Sequence, residues 1–161
     1  MANSPEKDEN STKLNPAQAS FDCSDLQDHS ASLPLAGIKV LVVDDDFSSL
    51  QVFSCALEIE GAKVREAASA AKALTAIEQD TPDIVISDLA MPDQDGYDLI
   101  RQIRSHPEKE VREVPALAIT GFSGPQRRTV LAAGFQDLIS KPVDLDFLVL
   151  RIARLLSVPG R

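Results

Sequence analysis

Between Ile38 and Leu156, short apolar runs and amphipathic stretches take turns without a break, and this alternation restricts the chain to a parallel sheet wrapped by helices. Ile38-Lys39-Val40-Leu41-Val42-Val43 is β-branched and stops at Asp44-Asp45-Asp46, the pattern of a strand buried on both faces. Leu50, Phe53 and Leu57 then recur at helical spacing, and Gly61 closes that helix. Ala62 to Ala67 reads as a weaker, partly charged edge strand. Ala70, Ala73, Leu74 and Ile77 mark a second helix over Ala70 to Gln79. Ile84 to Ser87 is a third strand that ends at Asp88. The loop Met91 to Gly96 leads into a third helix through Tyr97, Ile100, Ile103 and Arg104, which stops before Pro107. Pro115 to Thr120 is a fourth strand, Gly121 to Gly124 a loop, and Pro125 opens a fourth helix that Gly134 closes. Leu138 to Ser140 is a short fifth strand running into Lys141-Pro142, and Leu145, Leu148, Val149, Ile152, Leu155 and Leu156 stripe a fifth helix. Five strand–helix pairs with right-handed crossovers predict a doubly wound α/β fold, a five-stranded parallel sheet with five helices, for which the common order 2-1-3-4-5 is expected.

The region before this alternation differs in composition. Residues 1–36 hold three prolines, one aromatic (Phe21), and six acids against two lysines, among many Ser, Asn and Gln. Such a stretch cannot bury enough apolar surface to offset an ordering cost of roughly 1–2 kcal/mol per residue, so it is expected to be a disordered tail or linker. The domain is then expected over residues 37–157, with 158–161 as its C-terminal end. Only Ser157 to Arg161 follow the last helix, so the domain is expected either to act alone by protein contact or to be part of a larger regulator or kinase.

Sixteen basic and twenty-five acidic residues give a net charge of −9, which argues against a direct nucleic-acid surface, since that needs a net basic face. No apolar run approaches the roughly 20 residues of a membrane span, and Glu6, Lys7, Asp8 and Glu9 replace an apolar signal core. A cytoplasmic location without membrane insertion is expected. Cys23 and Cys55 have neither zinc nor redox-pair spacing, so a reducing compartment is the default.

In sheets of this kind ligands collect beyond the carboxyl ends of the strands. Asp44, Asp45 and Asp46 follow the first strand, Asp88 ends the third, Thr120 ends the fourth and Lys141 follows the fifth. In the 2-1-3-4-5 order the first and third strands are neighbours, so their carboxylates come close and repel. A raised pKa or a bound divalent cation relieves that. Mg2+ suits a site of one or two carboxylates that leaves its other positions to water and phosphate oxygens. A carboxylate beside such a metal can attack phosphorus as a nucleophile, with a lysine and a hydroxyl on the transferring group's oxygens.

The segments Val42-Val43-Asp44-Asp45-Asp46, Ser87 to Gly96, Ala118-Ile119-Thr120-Gly121 and Ser140-Lys141-Pro142, in that order and spacing, resemble the receiver domains of two-component response regulators. The resemblance covers about Ile38 to Leu156 and implies a flavodoxin-like fold. It implies Asp88 as phospho-acceptor. Magnesium would be held by Asp44, Asp45, Asp88 and the backbone carbonyl of Ala90, Asp45 directly and Asp44 through water. Thr120 would be a switch hydroxyl and Lys141 its phosphoryl-pairing partner, with a cis peptide at Lys141-Pro142. The implied donor is a histidine kinase or histidine phosphotransfer protein. The implied output is contact with a downstream protein through the fourth helix, fifth strand and fifth helix. One position departs from the pattern, because the second switch residue, often Tyr or Phe, is Leu138 here. The run from Ala133 to Asp144 looks more like receivers associated with hybrid histidine kinases than like those of DNA-binding regulators.

Two other readings use the same residues. A receiver-like docking module would keep the fold and never accept phosphate. A haloacid-dehalogenase-like phosphatase would use Asp44-Asp45-Asp46-Phe47-Ser48 as its Asp-x-Asp motif, but Ser48 stands where Thr is usual and no cap domain has room. Asp46, Asp93, Asp95 and Asp98 read as helix caps or a solvated face, Cys55 as filler, and His29 and His106 as carrying no chemistry.

Overall fold

A computed structural model describes residues 33–121 and 127–157. The elements run β1 (Lys39–Val43), α1 (Phe47–Ile59), β2 (Lys63–Ala67), α2 (Ala70–Gln79), β3 (Ile84–Asp88), α3 (Gly96–Arg104), α4 (Lys109–Arg112), β4 (Ala116–Thr120), α5 (Arg127–Ala133), β5 (Asp137–Ser140) and α6 (Leu145–Leu156). All strand pairs are parallel, as the alternation predicts, and the order is β2-β1-β3-β4-β5, the common one expected. The five expected helices are α1, α2, α3, α5 and α6. One element is additional. Lys109–Arg112 forms a single turn beyond Pro107, too short to leave a periodic trace, and buries only Val111.

The strands alternate their side chains between two cores. Val40 and Val42, Ile84 and Ile86, Leu117 and Ile119 point to one face, where Leu50, Phe53 and Leu57 of α1 and Leu148 and Ile152 of α6 cover them. Leu41 and Val43, Val85, Ala116 and Ala118 point to the other, under α2, α3 and α5. This explains why β1, β3 and β4 read as unbroken apolar runs, for both faces of each strand are dry. Small Ala116 and Ala118 let that second helical layer approach closely.

Four helices begin on side-chain caps. Asp46, Ser69, Asp95 and Asp144 accept from backbone N–H groups of the first turns of α1, α2, α3 and α6. Gly61 and Gly134 follow α1 and α5 with φ of +90° and +122°, as expected of helix stops.

Residues 1–32 of the expected tail lie outside the described residues, as do His29, Cys23 and the loop positions 122–126 that include Pro125. The other four residues, 33–36, form a turn against the end of α1. Leu35 is fully buried and donates its N–H to the Glu60 carbonyl at 3.0 Å.

Candidate functional site

The carboxyl edge of the sheet gathers side chains from three strand ends. Asp44 immediately follows β1 and is buried, Asp45 beside it is exposed, and Asp88 is the buried last residue of β3. Because β1 pairs directly with β3, one carboxylate oxygen from each of the three acids lies within 4.8 Å of the others. Lys141 follows β5 and reaches back across β4. Its Nζ donates to Asp44 Oδ2 and to Asp88 Oδ2, each at 3.2 Å.

The remaining oxygens are held by backbone. Asp44 Oδ1 accepts from the Asp46 N–H at 2.9 Å, and Asp88 Oδ1 from the Ala90 N–H at 3.2 Å. Asp88 is pinned from behind as well. A Cβ on Gly96 would stand 2.5 Å from the Asp88 carbonyl oxygen, so only glycine lets α3 start this close to the end of β3.

Burial raises the Asp44 carboxyl above its ordinary range, the neighbouring charge of Asp88 adds to that, and the Asp46 N–H and Lys141 only partly offset it. Burial pulls Lys141 downward, but hydrogen bonds to Asp44 and the charges of both acids outweigh it, so the ammonium is held above the ordinary lysine value. Two buried carboxylates therefore share one cation, with the exposed carboxylate of Asp45 beside them.

Thr120 reaches the same edge, at the end of β4, and is buried. Its hydroxyl makes only a long 3.5 Å contact to the Gly121 carbonyl and none with the carboxylates, while its own carbonyl accepts the Lys141 N–H at 2.7 Å. Lys141-Pro142 is cis, as the resemblance implies. Ala90 is exposed two residues beyond Asp88, and its N–H donates to the Asp88 carboxylate. Asp46 is committed elsewhere. Its carboxylate accepts from Ser48 N–H, Ser49 N–H and Ser49 Oγ, so it caps α1 and does not join the cluster. Asp95 likewise caps α3.

The donor set fits a hard divalent cation. Three carboxylate oxygens that can converge, one of them on an acid whose charge is disfavoured by burial, suit magnesium, and nothing soft such as Cys or His stands with them. Two residues of consequence carried no signal strong enough to be found in the sequence. Asp137, buried at the start of β5, binds Arg127 and Arg151. Arg104 at the end of α3 donates to the carbonyls of Arg112, Val114 and Gly134.

The acidic pocket and its lysine lie at the carboxyl edge of a doubly wound parallel sheet, where such sheets collect their ligands. The chain belongs to the response regulator receiver domain family, whose match spans residues 40–153, and so to two-component signal transduction. It is 40% identical over 111 residues to the uncharacterized 14.6 kDa protein in the sodA1 3′ region of Leptolyngbya boryana, covering 68% of this chain and 83% of that one. It is 33% identical over 124 residues to the probable transcriptional regulatory protein TcrX of Mycobacterium tuberculosis, covering 76% of this chain but only 51% of that one. Among solved structures, the signal receiver domain of a signal transduction histidine kinase from Syntrophus aciditrophicus matches with a TM-score of 0.69 at 29% identity, covering 78% of this chain and 94% of that one. No helix among the described residues is long and apolar enough to cross a membrane.

Proposed function

We propose that this chain is a magnesium-dependent phospho-accepting receiver that takes a phosphoryl group onto Asp88 from the phosphohistidine of a histidine kinase or histidine phosphotransfer protein. The observation that carries the reading is Lys141 bridging Asp44 and Asp88 at 3.2 Å beside the exposed carboxylate of Asp45. In the transfer, a carboxylate oxygen of Asp88 bonds to phosphorus as the phosphorus–nitrogen bond breaks, and the electron pair stays on the departing imidazole. Lys141, already between the two acids, is placed to follow the charge from the Asp88 carboxylate onto the new phosphoryl oxygens. Thr120, whose hydroxyl has only a long contact, is free to turn and donate to another of them. Asp44, Asp45, Asp88 and the Ala90 carbonyl are the groups that would hold magnesium, the carbonyl on the strength of the family resemblance. When bound, the ion supplies positive charge against the carboxylates and the phosphoryl oxygens.

Output is read as protein contact through α5, β5 and α6, from a domain taken to span residues 37–157 and to work in the cytoplasm. Asp46, occupied as a cap, does not converge with Asp44 as a phosphatase Asp-x-Asp pair requires. Incubation with acetyl phosphate and magnesium should add one phosphoryl mass to the wild type and none to Asp88→Asn in intact-mass spectrometry. A wild type that gains no mass would make the chain a docking module.

A further inference from the structure

We propose that the cavity at the amino ends of β1 and β2, beside the last turn of α2, is a binding site for a small organic carboxylate with a compact, branched apolar body. The site is separate from phosphoryl transfer. Lys39 and Lys63 open their strands, whereas Asp44 and Asp88 lie at the carboxyl edge of the same parallel sheet.

Strand register builds the charged wall. The side chains of Lys39 and Leu41 on β1 and of Lys63 and Arg65 on β2 alternate onto the face that α2 covers, and pairing sets Lys39 directly beside Lys63 and Leu41 beside Arg65. Like charges opposite one another on neighbouring strands repel, so the lysine pair needs a counter-charge. Asp80, just after α2, supplies one. Lys39 Nζ donates to its Oδ1 at 2.6 Å, and that hydrogen bond, with the charges of Lys39, Arg65 and Lys63 behind it, holds the Asp80 carboxyl below its ordinary range. Asp83 also acts on Lys39, but its carboxylate accepts the Lys39 N–H at 2.7 Å and does not line the cavity. Arg65 is turned to neutral acceptors, the Ala76 carbonyl at 2.9 Å and Gln79 Oε1 at 3.1 Å, and so covers the negative end of α2.

The Lys63 ammonium has no hydrogen-bond partner among the described residues. Three cations therefore face one carboxylate at this cavity, on a chain whose net charge is −9, and Lys63 is the cation left for an anion.

The apolar part of the wall sets the size of the ligand. Leu41, Ala76 and Pro82 line a half-enclosed space of about 110 Å3. A dry cavity of ~150 Å3 holds benzene, so this one takes a hydrocarbon of roughly four carbons, with its carboxylate beside Lys63. A nucleotide or a peptide helix is too large to enter. A bare inorganic anion would leave the apolar wall unused.

The test follows backbone amide shifts of the full chain by nuclear magnetic resonance while isovalerate is added to millimolar concentration. Saturable shifts are expected at Lys39 to Leu41, Lys63 to Arg65 and Ala76 to Thr81. Lys63→Gln should weaken binding about fivefold, the scale of a partly exposed charge pair. Ala76→Leu, which fills the cavity and leaves every charge in place, should abolish it. Arg154→Gln removes a positive charge from an exposed position on α6 and should bind as the wild type does. Acetate keeps the charge without the apolar body, isovaleramide keeps the body without the charge, and each should bind more weakly than isovalerate. The proposal is overturned by an absence of saturable shifts, by acetate, inorganic phosphate or isovaleramide binding the same amides as tightly as isovalerate, by undiminished binding in Lys63→Gln and Ala76→Leu, or by an equal loss in Arg154→Gln. Binding is read on unmodified protein, so it stands or falls separately from phosphoryl transfer.

Discussion

At the scale of single residues the site is a problem in charge balance that Lys141 solves in part. Its ammonium serves two acids that are otherwise almost out of water, and removing it would leave both buried without their cation. Lys141→Ala should therefore lower stability at neutral pH by about 1–3 kcal/mol in urea unfolding, the cost of unpaired buried polar groups. The folded-state value of Lys141 is raised, so its contribution is fully present below the ordinary lysine value of 10.5 and is lost as pH rises through the folded value. The deficit of the variant should shrink there. Because the three carboxylates survive in Lys141→Ala, magnesium should still stabilise it, by about 2.7 kcal/mol at one hundred times its dissociation constant. An absence of magnesium stabilisation in that variant would mean that the acids do not form the metal site. Asp44, Asp88 and Lys141 were legible in the sequence because each directly follows or ends an apolar run. Asp46 was legible as a cap, and its bonds to Ser48 and Ser49 bear that out. The burial of Asp44 beside an exposed Asp45 was not, because adjacent acids look alike in sequence.

At the scale of elements, β1, β3 and β4 could be read directly, since strands dry on both faces show no polar interruption. The turn at Leu33 to Ala36 was missed for the opposite reason. Leu35 sits at the end of a long polar stretch, and nothing local announces that it joins the core that holds Leu57 and Ala62. Asp137 was missed because its partners lie ten and fourteen positions away, on α5 and α6. That cluster ties two helices to β5, and it makes a prediction about acid stability. Burial would raise the Asp137 carboxyl, but the hydrogen bonds from Arg151, the Leu138 N–H and Arg127 together hold it below the ordinary aspartate value of 3.8. A lowered folded-state value means stability that is present above 3.8 and lost as pH falls through the folded value. Asp137→Asn should cost about 1–3 kcal/mol at neutral pH. Its denaturation midpoint should converge with that of the wild type below pH 3.8, and a gap that persists into acid would assign the loss to packing instead.

At the scale of the whole molecule, the site joins parts that the sheet alone brings together. Asp44 and Asp88 stand on neighbouring strands, while Lys141 reaches them from β5 at the far edge. Magnesium should therefore slow amide hydrogen exchange at the carboxyl ends of β1 and β3 together, in the backbone around Asp44 to Asp46 and Asp88 to Ala90. The first residues of β2, at the opposite end of the sheet, should change little. Uniform slowing across every strand would indicate general stabilisation rather than a local site.

Lys141 lies 97 positions after Asp44 and 53 after Asp88. During synthesis both acids leave the ribosome well before the lysine that balances them, and a nascent chain halted anywhere before β5 holds the acids without their counter-charge. Only a chain translated through Lys141, with its last strand docked, presents a finished pocket to a donor.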